Sequence, residues 1–206
     1  MVAALKSQIV TFDEFIDWYP EQAGSHYELH DGVIVEMPKP TGPHSQLAGM
    51  LGYSLMGESQ RLGLPYFIPR ECILKPRESE SGYEPDIVLL DRHNLNHEPL
   101  WDKSSVITQR KSAPLVVKVV STNWTDDYAL KLEAYQDFGI QEYWIADYRG
   151  LGGTFFIGKP KRPVLTVCRL EDGLYQLEQF RGNERLVSPM FPELNLTANQ
   201  VFAMAQ

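Results

Sequence analysis

The sequence predicts a mixed β-sheet flanked by helices, a fold of the α/β or α+β class. Two apolar runs, 85–90 and 114–121, are rich in valine, isoleucine and leucine without alternation, which is typical of strands covered on both faces. Amphipathic helices are predicted at about 43–62 and 126–138, where apolar residues recur at helical spacing. The middle of the chain therefore has the predicted order helix, three strands, helix, strand.

The N-terminal part of the chain predicts a short helix followed by a β-hairpin. Thr11 and Glu14 have the spacing of a capping box, which opens a helix that Pro20 ends. The dipeptide Asp31-Gly32 is typical of a tight hairpin turn, because it tolerates the positive backbone dihedrals that such a turn needs. The predicted hairpin strands are 27–30 and 33–37.

The rest of the chain predicts short strands around one long excursion. The segment 91–113 lacks periodicity and is expected at the surface, where substrate-contacting loops are often found. A final helix is predicted at 197–204. Further strands are predicted at 65–68, 72–74, 86–90, 115–120, 142–147, 154–157, 164–170 and 174–180.

Length and composition indicate one ordinary globular domain. The 206 residues predict a single domain, 1–206, with its core at about 43–148 and a C-terminal β extension at about 150–206. No apolar run approaches the roughly 20 residues of a membrane span, and the first ten residues lack a signal-peptide pattern. We therefore expect a cytoplasmic protein without membrane partners. Cys72 and Cys168 are interpreted as two buried thiols.

The formal net charge of −8 bears on the class of partner. It argues against a protein that binds nucleic acid by bulk electrostatics, because phosphate contacts require clustered lysine and arginine. A catalytic cleft, however, needs only a local cationic rim. The chain also lacks a phosphate-cradling glycine-rich loop, a nucleophile elbow and a Cys/His metal cluster, which disfavours an unrelated small-molecule enzyme.

A set of motifs runs in order from about Phe12 to Tyr148. These motifs are Tyr27–Gly32, Pro43–His44, Pro85–Leu90, Pro114–Ser121, Lys131 with Tyr135, and Gly139–Asp147. Together they resemble the Uma-type family of predicted restriction endonucleases, within the PD-(D/E)XK nuclease superfamily. The resemblance implies a restriction-endonuclease-like core and Mg²⁺-dependent hydrolysis of the phosphodiester bonds of DNA.

The resemblance also implies roles for four side chains. Asp86 is the implied Mg²⁺ ligand, although its strand context alone favours a solvated strand-end carboxylate. Lys131 is the implied partner of the phosphate or the attacking water, and it should point toward Asp86; alternatively its stem packs while the ammonium reaches solvent. Glu28 and His44 are implied supporting residues, with a strand-surface glutamate and a helix-capping histidine as the simpler interpretations.

Lys118 departs from the family pattern. Where the family's third core strand resembles Glu-Val-x-Ser and supplies a metal-binding acid, this chain has Lys118–Ser121. A buried lysine needs a carboxylate partner, and Asp86 is the partner that the family topology suggests. Such a pair would place an ammonium where the metal is expected. Metal-dependent cleavage would then be lost unless Glu28, Glu71 or Glu84 supplied the missing oxygen ligands.

Two functions therefore remain open at the level of sequence. One is an endonuclease with Asp86, Lys131, Lys118, Glu28 and His44 at its catalytic site. The other is a catalytically impaired relative that acts as a binding or regulatory protein. A homodimer is a further hypothesis, since cutting both strands of a duplex with one site per chain favours two-fold symmetry.

Overall fold

The computed structural model describes residues 9–19, 24–76 and 79–206. Helix α1 (Phe12–Trp18) begins at the predicted capping box, because the Thr11 hydroxyl accepts from the backbone N–H of Glu14 and the Glu14 carboxylate accepts from that of Thr11. Pro20, predicted to end this helix, lies outside the described residues.

The predicted hairpin forms next to α1. Strands β1 (His26–His30) and β2 (Val33–Met37) pair antiparallel. Asp31 and Gly32 at the turn both have positive φ, 47° and 81°, as the tight turn requires. The hairpin and α1 share a small apolar cluster, in which Phe15, Leu29 and Ile34 pack with Ile73 and Val106.

A six-stranded mixed sheet forms the centre of the molecule. In spatial order the strands are β10 (Leu174–Phe180), β9 (Val164–Glu171), β8 (Glu142–Asp147), β7 (Leu115–Val119), β5 (Ile87–Asp91) and β3 (Tyr66–Phe67). The parallel pair is β7 with β8, and the other pairs are antiparallel. All residues of β7 are buried, as are those of β5 except Asp91, which confirms the prediction of two strands covered on both faces.

Helices cover the two faces of this sheet. Helix α2 (Gly42–Arg61) and the C-terminal α6 (Ala198–Ala203) pack on one face, in the same apolar cluster as Val117. Helix α4 (Lys131–Phe138) packs on the other face, in the cluster that contains Val116. The predicted mixed sheet flanked by helices is therefore confirmed. No helix of the described residues is both long and apolar enough to cross a membrane.

Three segments differ from their sequence-based predictions. The excursion 91–113 contains the short helix α3 (Trp101–Ser104) and strand β6 (Val106–Ile107), which pairs with β4 (Ile73–Leu74). The helix predicted at 126–138 begins with a π-helical turn at Asp126–Leu130.

The predicted strand at 154–157 is wrong. The segment is a short helix, α5 (Thr154–Ile157), which buries Ile157 and stacks Phe156 on Tyr128 at a ring-centroid distance of 5.2 Å. The segment cannot pair with β8 as a further strand, because β7 and β9 already pair with the two edges of β8. The interpretation of the cysteines is confirmed, since Cys72 and Cys168 are free and buried.

Candidate functional site

An ion pair across two central strands lies at the centre of the site. In the antiparallel pair β5 and β7, Ile87 is opposite Val117, so Asp86 is opposite Lys118. The two side chains lie on the face that packs against α4. Nζ of Lys118 is 3.3 Å from Oδ2 of Asp86, and the side chains are 8% and 16% exposed. The pairing that the sequence predicts for a buried lysine is therefore present.

Asp86 is held by three neighbours. Its Oδ2 also accepts a hydrogen bond from the backbone N–H of Val119 at 2.7 Å, which continues the ladder where β7 ends. Its Oδ1 is 3.5 Å from Nε2 of His44. Burial alone would raise the pKa of Asp86, but Lys118, His44 and the Val119 amide lower it well below its usual value. The carboxylate is thus ionised at neutral pH.

Lys118 is a fixed cation. Its ammonium donates a hydrogen bond to the backbone oxygen of Glu84 at 3.2 Å, in addition to its ion pair. Burial alone would lower the pKa of Lys118, but the carboxylates of Asp86 and Glu28 raise it above its usual range. Lys118 therefore stays protonated at neutral pH and cannot act as a general base.

His44 approaches the pair from the first turn of α2. The helix begins at Thr41, whose hydroxyl accepts from the backbone N–H of His44, so the capping residue is Thr41. Nε2 of His44 lies 3.0 Å from the backbone oxygen of Val119. Because a carbonyl oxygen only accepts, Nε2 carries the hydrogen. The imidazole therefore links α2 to the end of β7 beside Asp86.

A second buried pair joins α4 to the hairpin. Nζ of Lys131 is 2.9 Å from Oε1 of Glu28, and the side chains are 1% and 0% exposed. Glu28 also accepts from the backbone N–H of Glu84 at 3.0 Å, and its Oε2 lies 2.8 Å from Nε2 of His30. Burial alone would raise the pKa of Glu28, but Lys131 and His30 lower it to about 2. Lys131 points inward, as expected, but its ion-pair partner is Glu28 and not Asp86.

Asp127 belongs to the same cluster, which the sequence pattern did not indicate. In the sequence, Asp126 and Asp127 stand together at the start of the helix predicted at 126–138, where acidic side chains are typical because they complement the helix dipole. Its Oδ1 instead lies buried 3.9 Å from Nζ of Lys131, and burial raises its pKa to about 6 although Lys131 and Lys118 lower it. The available signal was the spacing of four between Asp127 and Lys131, which puts both on one helix face.

The other nearby carboxylates are also engaged. Oε2 of Glu84 lies 3.0 Å from Nδ1 of His26. Glu71 is exposed, and its Oε1 lies 3.4 Å from Nε of its neighbour Arg70. Together with Glu28, these were the acids that could have replaced the missing metal ligand, and each has a partner other than Asp86.

One cleft of about 450 Å³ gathers most of these groups. The predicted site residues that line it are Asp86, Lys118, Lys131 and His44, and Asp127 lines it with them. Glu28 lies behind Lys131. Three cationic side chains at the rim are exposed, namely Lys39, Arg70 and Arg149. The cleft thus has the local cationic rim that the acidic composition as a whole does not suggest.

The side chains of the cleft do not fit a divalent metal. Among the described residues there is no group of three or more His, Cys, Asp or Glu that could hold one. A divalent cation about 4 Å from the Lys118 ammonium would be repelled by about 8 kcal/mol at an effective dielectric of about 20, twice the value for two unit charges. Asp86 already accepts from Lys118 and Val119.

Comparisons with known proteins agree with this architecture. A profile of the Uma2 family, described as "Putative restriction endonuclease", matches residues 12–199. A crystal structure described as "a putative nuclease belonging to DUF820" from Anabaena variabilis ATCC 29413 superposes with a TM-score of 0.70 at 17% sequence identity, and the match covers 96% of this chain and 99% of that one. At that identity the superposition shows a shared fold. A comparison with curated protein sequences gives no match.

Proposed function

This chain belongs to the Uma2 family of restriction-endonuclease-like proteins, and we propose that it binds DNA in the cleft around Asp86 without metal-dependent cleavage. The observation that carries the proposal is the ion pair in which Nζ of Lys118 lies 3.3 Å from Oδ2 of Asp86. Families of this kind usually use a divalent metal. Here a lysine stands at the strand position where the resemblance implies an acidic metal ligand.

The charges of the cleft support binding of an anionic strand. Lys118 and Lys131 are paired with carboxylates, so they add little net attraction for phosphate. Lys39 and Arg149 are exposed and line the same cleft. Release of counterions by such residues is the main source of affinity for DNA, and it does not require a metal.

Metal-dependent hydrolysis of DNA is the second candidate. It is favoured by one observation: the residues that the resemblance implies for Mg²⁺ binding and catalysis, including Asp86, Lys131 and His44, line one cleft. This candidate requires Lys118 to leave Asp86 and a carboxylate to take its place. With Lys118 where it is, we derive no hydrolytic step.

A direct experiment separates the two candidates. The purified protein is titrated into a short fluorescein-labelled DNA duplex, with Mg²⁺ and with EDTA, and then incubated with supercoiled plasmid under the same conditions. We expect binding that EDTA leaves unchanged and no metal-dependent nicking. Nicking that requires Mg²⁺ or Mn²⁺ would establish the endonuclease, whereas absence of DNA binding would contradict both candidates.

The proposal extends to assembly and location. A homodimer is proposed because each chain offers one cleft to a duplex with two strands, and two-fold symmetry would present both strands equally. Size-exclusion chromatography with light scattering tests this, and a monomer with and without DNA would contradict it. A cytoplasmic location belongs to the same proposal.

A further inference from the structure

A second pocket, of about 770 Å³, adjoins the cleft. The two share three lining residues, Thr41, Tyr148 and Arg149, so they form one continuous depression. The volume of the second pocket is in the range that holds a ligand of nucleotide size or larger. None of Asp86, Lys118, Lys131 and His44 lines this second pocket.

The second pocket is basic although the chain is acidic. Its lining includes Arg149, Arg162 and Arg181 and no aspartate or glutamate side chain, in a protein of net charge −8. Within the described residues, none of the three arginines has a carboxylate at ion-pair distance. Arg181 is oriented by neutral acceptors, since Nη2 donates to the backbone oxygen of Ile157 at 2.9 Å and to Oε1 of Gln179 at 2.8 Å. The guanidinium of Arg181 is therefore held in place by neutral acceptors, while the carboxylate of Glu184 accepts from the backbone N–H of Arg181 at 2.7 Å.

The sheet topology explains why these arginines meet. Arg149 follows the end of β8 and Arg162 precedes the start of β9, which is antiparallel to β8. Arg181 directly follows β10, whose last residue pairs next to the start of β9. The same end of the sheet carries the end of β7, beside Lys118. The arginines thus lie in a row along this end of β8, β9 and β10, beside the cluster around Lys118.

We propose that this arginine row is a track for the phosphodiester backbone of the DNA strand that lies in the cleft. The inference rests on the proposed function and names the part of the substrate that is bound. Neighbouring strands are about 4.8 Å apart, so the arginine row from β8 to β10 spans about 10 Å. A DNA strand advances about 3.4 Å per nucleotide along the helix axis and its backbone winds around that axis, so the row spans about two to three phosphates. Guanidinium groups suit this role because their fork geometry matches phosphate oxygens.

Substitution of the two exposed arginines tests the track. Arg149→Gln/Arg162→Gln removes two charges, and Lys103→Gln/Lys111→Gln removes two exposed charges that line neither pocket. Binding of a fluorescein-labelled duplex is measured by anisotropy over a series of salt concentrations. The arginine variant should bind roughly tenfold more weakly for each lost charge-assisted contact. For the arginine variant, the slope of log binding constant against log salt concentration should be shallower by about 1.8. The lysine control should keep the wild-type slope.

A charge-conserving variant guards against a folding defect. Arg149→Lys/Arg162→Lys should keep most of the salt slope, and all variants are compared by thermal melting. If wild type binds DNA and the arginine variant matches the lysine control, the track is wrong while DNA binding in the cleft stands. If wild type does not bind DNA, the proposed function is wrong and the track with it.

Discussion

At the scale of single residues, Lys118 sets the charge of the buried cluster. The cluster has three carboxylates, Glu28, Asp86 and Asp127, and two ammonium groups, Lys118 and Lys131, so its net charge is −1 when all are ionised. A lysine is a permanent single charge, whereas a divalent metal needs free oxygen ligands. Lys118 therefore supplies a cation at the position where the resemblance implies an acidic metal ligand.

An acidic residue at position 118 should give the protein a response to metal. Lys118→Glu changes the cluster from −1 to −3 and places a second carboxylate beside Asp86, so the carboxylates repel and a carboxylate pKa rises. Mg²⁺ at about 100 times its Kd would then stabilise the folded variant by about 2.7 kcal/mol. For a chain of this length we expect the melting temperature to rise by about 5–10 °C. Thermal melts with Mg²⁺ and with EDTA measure this.

The matched control for this variant is Lys103→Glu, an equal change of charge at an exposed lysine. Wild type and the control should respond little to Mg²⁺. An identical response of wild type and Lys118→Glu would mean that Lys118 does not stand in the place of a metal.

At the scale of elements, the π-helical turn before α4 contains Asp127, a carboxylate whose ionised form is disfavoured by burial. The turn Asp126–Leu130 buries Asp127, and Nζ of Lys131 is 3.9 Å away, too far for a strong hydrogen bond. π-helical turns occur often at functional sites. Burial outweighs the attraction of the lysines and raises the pKa of Asp127 from 3.8 to about 6.

This raised pKa gives a pH dependence of known sign. A folded-state pKa above the unfolded value means that the folded protein binds the proton more tightly, so the stabilisation is complete below pH 3.8 and is lost as pH rises through about 6. The difference corresponds to about 3 kcal/mol of unfolding free energy. Asp127→Asn should lack this decline, as measured by urea unfolding at a series of pH values. The neighbouring Asp126→Asn should retain it, and a parallel decline in both variants would contradict the assignment to Asp127.

Elements with strong local signals were predictable, and contacts set by the tertiary structure were not. The uninterrupted apolar character of β5 and β7 predicted both strands, and a buried lysine within β7, together with the family topology, predicted the partner Asp86. The segment 154–157 has strand-like residues, but no free edge of β8 is left for it to pair with. The contact between Lys131 and Glu28 joins α4 to a hairpin far away in sequence, so no local pattern could reveal it.

At the scale of the whole molecule, the C-terminal part completes the sheet and its core. β9 covers the edge of β8 that β7 leaves open. Phe191, Leu194 and Val201 lie in the same apolar cluster as α2. The buried carboxylate of Glu142 accepts from the hydroxyl of Ser188 at 2.8 Å and from the backbone N–H of Met190 at 2.8 Å. Residues 150–206 therefore provide a sheet edge, core side chains and partners for a buried charge.

We accordingly expect residues 9–206 to fold as one cooperative unit, so a chain that ends at Arg149 should not fold. The truncation exposes the edge of β8. It also leaves Trp144 as the side-chain hydrogen-bond partner of Glu142 among the described residues. Loss of hydrogen bonds to a buried carboxylate costs several kcal/mol of unfolding free energy. A domain is stable by about 5–15 kcal/mol. The loss of the partners of Glu142, together with more than a quarter of the buried hydrophobic residues described, exceeds that margin. The measurement is near-ultraviolet circular dichroism with a thermal melt.

Ser188→Ala is the control for the truncation. It removes the hydrogen bond from the Ser188 hydroxyl to Glu142 at a cost of about 1–3 kcal/mol, so this variant should still melt cooperatively. A cooperative melt of the truncated chain would instead mean that the core at 43–148 is stable alone and that the C-terminal strands are an appendage to it.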